Sequence, residues 1–309
     1  MNKQIRIFKW LRNLLLITFS LFLLPLCSCA VLNYRYQSWE NNVTRTPEGV
    51  LDFAQATTRG NGKHALLLVH GFGDGPHVWN HLAPELAGKG YTVRAMRLPG
   101  WNESVEAKRD ISLENWEQAV QKELKELRNT HAKVGVMAHS MGGCLVTVLA
   151  QQDQLDADAL VLYAPMFEVS SARSPLLKTS TWFKIGDRIL PEGMIIESLF
   201  ADHARVNKPR PKTRRDPFNP LNIFRNLYAE MNRFEAQTPS ISMPVRLVLP
   251  GEDRVVRTSR SLEWFESLEA DSKTLHKETP AGHVLPLDVD VLAEANRLTV
   301  WLTEQGIAP

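Results

Sequence analysis

From residue 65 to the C-terminus, short apolar runs alternate with longer stretches of helical period. Ala65-Leu66-Leu67-Leu68-Val69 is the first run, and the pattern predicts further strands at Tyr91–Met96, Val134–Ala138, Ala159–Tyr163, Val245–Leu249 and Lys273–Lys277. Runs this short and apolar suit strands buried on both faces of a parallel sheet. Between them, Leu113, Trp116, Val120, Leu124 and Leu127 recur on one helical face, with Ser112 placed to cap and Glu114 in the first turn. Val291, Leu292, Ala295, Leu298 and Leu302 form a similar stripe near the end. Strand and helix in alternation predict an α/β fold, a mostly parallel central sheet flanked by helices.

Two segments depart from the alternation. Residues 166–243 carry helical patterns and no convincing strand. Phe224, Leu227, Tyr228 and Met231 share a face there, and Trp182, Phe183, Ile189, Met194, Ile195, Leu199 and Phe200 add apolar bulk. A stretch this long is not a structureless loop within a compact domain, and it reads as an inserted helical cap. Residues 29–60 have weak periodicity and read as a tether, which leaves 61–165 and 244–309 as the core.

Residues 1–28 are an address. Lys3, Arg6, Lys9 and Arg12 precede the apolar run Leu14–Leu24, with no acid among them. A basic start, an apolar middle and small residues afterwards describe a secretory signal peptide. Its end, Leu26-Cys27-Ser28-Cys29, resembles the bacterial lipobox, which makes Cys29 the lipidated residue and Cys27 an unusual occupant of its place. By the same resemblance, Ala30 after the cysteine favours the outer membrane of a bacterial envelope. The alternative is an uncleaved anchor, since Leu14–Leu32 is about 19 residues, just enough to span a bilayer, though Pro25 and the polar residues interrupt it. Either reading places the globular part outside the cytoplasm and tied to a membrane.

The whole chain of 309 residues has a formal charge of +2, and the four basic residues of the address leave the remainder at −2. Such a balance gives no footing for nucleic acid, and 44% hydrophobic with 23% charged residues excludes disorder and a polytopic membrane protein. Three cysteines, Cys27, Cys29 and Cys144, are too few for a disulfide scaffold, and Cys144 reads as a core thiol.

The strongest chemical signal is Val134-Gly135-Val136-Met137-Ala138-His139-Ser140-Met141-Gly142, a buried strand running into a serine and then a helix. A sharp strand-to-helix turn exposes such a serine, and it requires small residues two before and two after, here Ala138 and Gly142. Ser140 then sits at a helix N-terminus, where N–H groups and the dipole favour developing negative charge. The first strand ends in His70-Gly71-Phe72-Gly73, at the sheet edge where α/β proteins bind ligands. The amides of Phe72 and Met141 are the candidate oxyanion donors. His139 is a packing candidate, and His77 and His81 lie in the first helix without a ligand set.

A serine nucleophile needs a base. Of the histidines that follow it, His203 lies in the cap and His276 within a strand, whereas His283 lies in a loop between the last strand and the last helix. The orienting acid belongs after the preceding strand, where Asp253 is preferred and Glu252 competes. Asp288 and Asp290 read instead as residues at the start of the last helix.

Taken in order, His70-Gly71-Phe72, Ala138-His139-Ser140-Met141-Gly142, Gly251-Glu252-Asp253 and Gly282-His283 resemble the α/β-hydrolase superfamily, and within it the bacterial carboxylesterase and monoacylglycerol-lipase-like group. Arg97-Leu98-Pro99-Gly100-Trp101 stands where many relatives carry Pro-Gly-His-Gly, so Trp101 and Asn102 are departures. The resemblance implies a Ser140–His283–Asp253 triad, acyl transfer to water, a small-molecule or lipid ester as substrate, and no metal or organic cofactor. A peptidase or amidase of the same fold and an inactive lipid-binding lipoprotein are the competing readings. In the cap, Arg205, Lys208, Arg210, Lys212, Arg214 and Arg215 form a basic run that reads as a solvated loop or a contact for anionic headgroups.

Overall fold

The computed structural model describes residues 29–174, 176–198 and 217–309, so the address and the basic run of the cap lie outside the described residues. The first element among the described residues is helix α1, over residues 29–40. Then come β1 (Thr57–Arg59), β2 (Ala65–Val69), α2 (Leu82–Gly88), β3 (Thr92–Ala95), α3 (Val105–Lys108) and α4 (Leu113–Arg128). The chain continues through β4 (Val134–His139), α5 (Ser140–Gln151) and β5 (Ala159–Tyr163) into the cap. The cap contains α6 (Thr179–Ile189), β6 (Ile195–Glu197), β7 (Phe218–Pro220), α7 (Leu221–Glu235) and β8 (Ser240–Ile241). The chain ends with β9 (Val245–Pro250), α8 (Thr258–Ser267), β10 (Glu269–Ala270), β11 (Lys273–Glu278), α9 (Leu285–Asp288) and α10 (Val291–Glu304).

Every residue of β2, β4, β5 and β9 is buried, as strands covered on both faces must be. The main sheet runs β1-β3-β2-β4-β5-β9-β11, parallel except where β1 adds antiparallel to β3. The chain moves from β2 outward to β3 and returns to β4 on the other side of β2. That reversal opens a crevice between the carboxyl ends of β2 and β4, where ligands bind in open α/β sheets. Val69 pairs with Ala138, which brings these two strand ends level.

The helices follow the apolar pattern. In α4, Leu113, Trp116, Val120, Leu124 and Leu127 are buried, and Ser112 and Asn115 form a reciprocal capping box at its start. In α10 the buried face is Glu294, Ala295, Leu298, Trp301 and Leu302, and the predicted Leu292 is exposed. Glu294 tolerates burial because it accepts hydrogen bonds from the Tyr163 hydroxyl and from Arg297.

The cap differs from a purely helical insertion. Strands β6 and β7 pair antiparallel, and three residues each leave no readable alternation. Helix α7 buries Leu227 and Met231, with Phe224 and Tyr228 half-buried against the core. The N-terminal segment is also more ordered than a tether, because α1 packs on the cap. Tyr36 and Trp39 both contact Phe218 at ring-centroid distances of 5.8 Å, and Arg35 pairs with Glu197 at 2.8 Å. The Tyr36 hydroxyl donates to Glu106 and accepts from the Val105 amide. No helix among the described residues is long and apolar enough to cross a membrane.

Candidate active site

Strand β4 turns into α5 at Ser140, whose φ of +54° is a left-handed conformation rare for residues other than glycine. Such backbone costs about 1–3 kcal/mol and persists where its surroundings enforce it. Here the enforcement is close packing. A Cβ on Gly142 would lie 2.4 Å from the His70 carbonyl oxygen, and one on Gly71 would lie 2.9 Å from the Ser140 Cβ. The small residues around the serine therefore let the β2 and β4 loops pass within contact distance.

The structure brings Ser140, His283 and Asp253 together. His283 Nε2 lies 2.9 Å from Ser140 Oγ, and His283 Nδ1 lies 2.8 Å from Asp253 Oδ2. The other oxygen of Asp253, Oδ1, accepts from the amides of Val255 at 2.8 Å and Val256 at 2.9 Å. Both carboxylate oxygens are thus engaged, and the side chain cannot swing away without stranding two amides. Ser140 and His283 are both buried, so charge developing on the hydroxyl is poorly screened by water. A hydrogen-bonded chain of this kind can move a proton from Oγ to Nε2 while Asp253 holds the ring.

Of the other candidates, Glu252 is exposed and His276 pairs with Glu278 on β11. His203 lies outside the described residues. Asp290 caps α10 through the Ala293 amide. Asp288 serves the histidine loop instead, because its Oδ2 accepts from the Gly282 amide at 2.6 Å. His139 is buried, with its ring centroid 5.0 Å from that of His283 and its Nε2 3.0 Å from the His283 carbonyl oxygen. It packs against the His283 ring and holds the backbone of that residue. Burial pushes the Cys144 thiol well up, as befits an unreactive core residue.

His70 takes no part in proton transfer at Ser140. Burial brings its pKa down to about 4, so the ring is neutral. Nε2 accepts from the Leu98 amide at 3.1 Å, which leaves Nδ1 to donate to the Gly71 carbonyl at 2.9 Å. This tautomer ties the β2 loop to the β3 loop. Phe72 follows, its ring 4.8 Å from Trp101 and 5.2 Å from Phe224 of the cap helix. Trp101, a departure from the family pattern, stacks on Trp116 and fills this cluster. Asn102 beside it takes a φ of +62° and donates to the Asp74 carbonyl at 2.9 Å.

Residues 60–290 match the family model described as Serine aminopeptidase, S33. A thermostable monoacylglycerol lipase from Bacillus sp. (strain H-257) is 25% identical over 241 residues, covering 78% of this chain and 91% of the relative. Among solved structures, a chain from work on the metagenome-derived lipolytic enzymes LipS and LipT superposes with a TM-score of 0.71 at 19% identity, covering 82% of this chain and 99% of that one. The monoacylglycerol lipase of Paleococcus ferrophilus gives 0.67 at 21% identity, covering 81% and 98%. With the family model spanning most of the chain and the sheet order seen above, this protein belongs to the serine aminopeptidase S33 family and has the α/β-hydrolase fold of lipases and esterases.

Proposed function

We propose that this protein is an envelope-tethered serine hydrolase that cleaves acyl esters, with monoacylglycerol or lysophospholipid as the substrate class. The observation that carries the reading is the contact of Ser140 Oγ with His283 Nε2 at 2.9 Å, backed by Asp253 at 2.8 Å. Likeness to the Bacillus monoacylglycerol lipase supports the choice of ester.

In this reading, Ser140 Oγ attacks the ester carbonyl carbon as its proton passes to His283 Nε2. The carbonyl oxygen becomes an oxyanion held by the Phe72 and Met141 amides, at the N-terminus of α5. Collapse breaks the ester bond, and the departing alcohol oxygen takes the proton from Nε2. Water then gives a proton to Nε2 and attacks the acyl carbon, and collapse releases the acid as the Nε2 proton returns to Ser140 Oγ. Asp253 keeps Nδ1 protonated throughout and stabilises the imidazolium. None of these steps calls on a metal or organic cofactor.

The tether follows from the sequence of residues 1–28 and from Cys29 as the lipidated residue, in the bacterial envelope with the outer membrane favoured. A panel of monoacylglycerols, lysophosphatidylcholine, triacylglycerol and aminoacyl anilides tests the substrate reading. Turnover of the single-chain esters that vanishes in Ser140→Ala is expected; preferential cleavage of the anilides would make the protein a peptidase. Mass spectrometry of the mature N-terminus checks Cys29, with a diacylglyceryl adduct expected and an unmodified cysteine contradicting it.

A further inference from the structure

Helix α6 presents two unlike faces. Phe183 stacks on Tyr228 at 4.2 Å and Asp187 pairs with Arg225 at 2.6 Å, so these residues hold the helix onto α7. At 100° per residue, Trp182, Ile185 and Ile189 fall on the opposite side. They are 43%, 39% and 71% exposed, and Leu176 and Leu177 just before the helix are exposed as well. Exposed Lys184 and Arg188 border one side of this stripe, and exposed Lys178, 3.9 Å from Glu168, precedes it, whereas the only acid of the helix is the inward Asp187. An apolar stripe with a cationic border is the composition of a helix that lies in a lipid interface.

The attachment of the N-terminal segment fixes where that interface would be. Cys29 lines one pocket with Asn33, Arg109, Gly193, Met194 and Ile195. Gly193 is four residues beyond Ile189, at most about 15 Å of extended chain. Because α1 is bound to the cap through Arg35, Tyr36 and Trp39, Cys29 is held at the part of the cap that follows α6. The residues that precede Cys29 carry the apolar run Leu14–Leu24.

We propose that the outer face of α6, with Leu176 and Leu177, docks into an anionic bilayer beside the N-terminal anchor and presents the cap to the membrane. This rests on the tethered-lipase reading for its purpose, and it goes beyond that reading in assigning the docking surface. The anchor supplies attachment, while the α6 face sets the orientation in which a single-chain lipid can pass from bilayer to site.

The full chain, reconstituted in phosphatidylethanolamine–phosphatidylglycerol vesicles, tests it in two ways. The variant Trp182→Ser/Ile185→Ser/Ile189→Ser is expected to hydrolyse vesicle-embedded monoacylglycerol about tenfold more slowly, with hydrolysis of monomeric nitrophenyl butyrate unchanged. Brominated lipids should quench tryptophan emission more in the native chain than in Trp182→Phe, which does not depend on activity. Equal quenching in the two proteins, or an unaltered rate on vesicles in the triple variant, would overturn the docking surface and leave the hydrolase intact. Quenching at Trp182 with no monoacylglycerol turnover in the native chain would do the opposite, supporting docking and refuting the substrate reading.

Discussion

Replacing Asp253 with asparagine changes one atom, and the surroundings of that atom dictate the outcome. Oδ1 accepts from the amides of Val255 and Val256 at 2.8 and 2.9 Å, so only the amide oxygen of asparagine can occupy that side. Turning the NH2 group there would set donor against donor and strand two N–H groups, at about 1–3 kcal/mol each. The NH2 group must therefore face His283 Nδ1, where Oδ2 now lies at 2.8 Å. Nδ1 becomes an acceptor and the ring proton moves to Nε2, the atom 2.9 Å from Ser140 Oγ. A protonated Nε2 cannot take the serine proton. The expected loss in kcat is about 10⁴-fold, or roughly 5.5 kcal/mol, with the fold preserved. Steady-state hydrolysis of a nitrophenyl ester measures it, with thermal unfolding as the control. Glu252→Gln, at an exposed site, should keep kcat within about twofold. A loss below about tenfold in Asp253→Asn would refute the reasoning, and a large loss in Glu252→Gln would move the acid by one residue.

Three further outcomes follow from the same geometry. Glu230 on α7 is buried with both carboxylate oxygens lacking a hydrogen-bond partner, and desolvation raises its pKa to about 8 despite Arg233 at 3.7 Å, which is also engaged by Glu117. Since the folded value exceeds the ordinary 4.5, stability is full below about pH 4.5 and falls as pH climbs towards 8, by on the order of 4 kcal/mol. Glu230→Gln should flatten that decline in Tm between pH 5 and 8, whereas parallel Tm curves would contradict it. Gly142→Ala forces a Cβ to 2.4 Å from the His70 carbonyl, and about 1–3 kcal/mol of stability with most of the activity should be lost; native-like turnover and Tm would show the elbow to be looser. Asp288→Ala removes the 2.6 Å acceptor of the Gly282 amide, and kcat should fall about tenfold with KM little changed, while a pure KM effect would place Asp288 in binding.

The core strands were legible because burial on both faces leaves unbroken apolar runs such as Leu66-Leu67-Leu68. Ser140, Asp253 and His283 were legible because each stands at a strand's carboxyl end, where topology rather than sequence distance brings them together. What was not legible depends on distant partners. β1 is three residues, Thr57–Arg59, on a solvent-facing edge with no apolar signature. Helix α1 owes its place to Phe218, a partner remote in sequence that Tyr36 and Trp39 both meet, and the weak periodicity of its segment does not announce it. Glu294 sits on the buried face of α10 because Tyr163 and Arg297 meet it, and Leu292, which fits the apolar stripe, faces solvent instead. Asp288 was read by proximity to α10, although its carboxylate turns back to the Gly282 amide. Lys108 is fully buried beside the cap, donating to the Phe218 carbonyl, a role no local pattern announces.

The most direct test of the central claim is covalent capture of the nucleophile. The native protein is treated with a fluorophosphonate, and the modified peptide is identified by mass spectrometry. The expected result is a single adduct on Ser140, absent in Ser140→Ala and formed far more slowly in His283→Ala, whose Nε2 now lies 2.9 Å from Oγ. A folded native chain that stays unlabelled, or that carries the probe on another residue, would contradict the assignment of Ser140 as the catalytic serine.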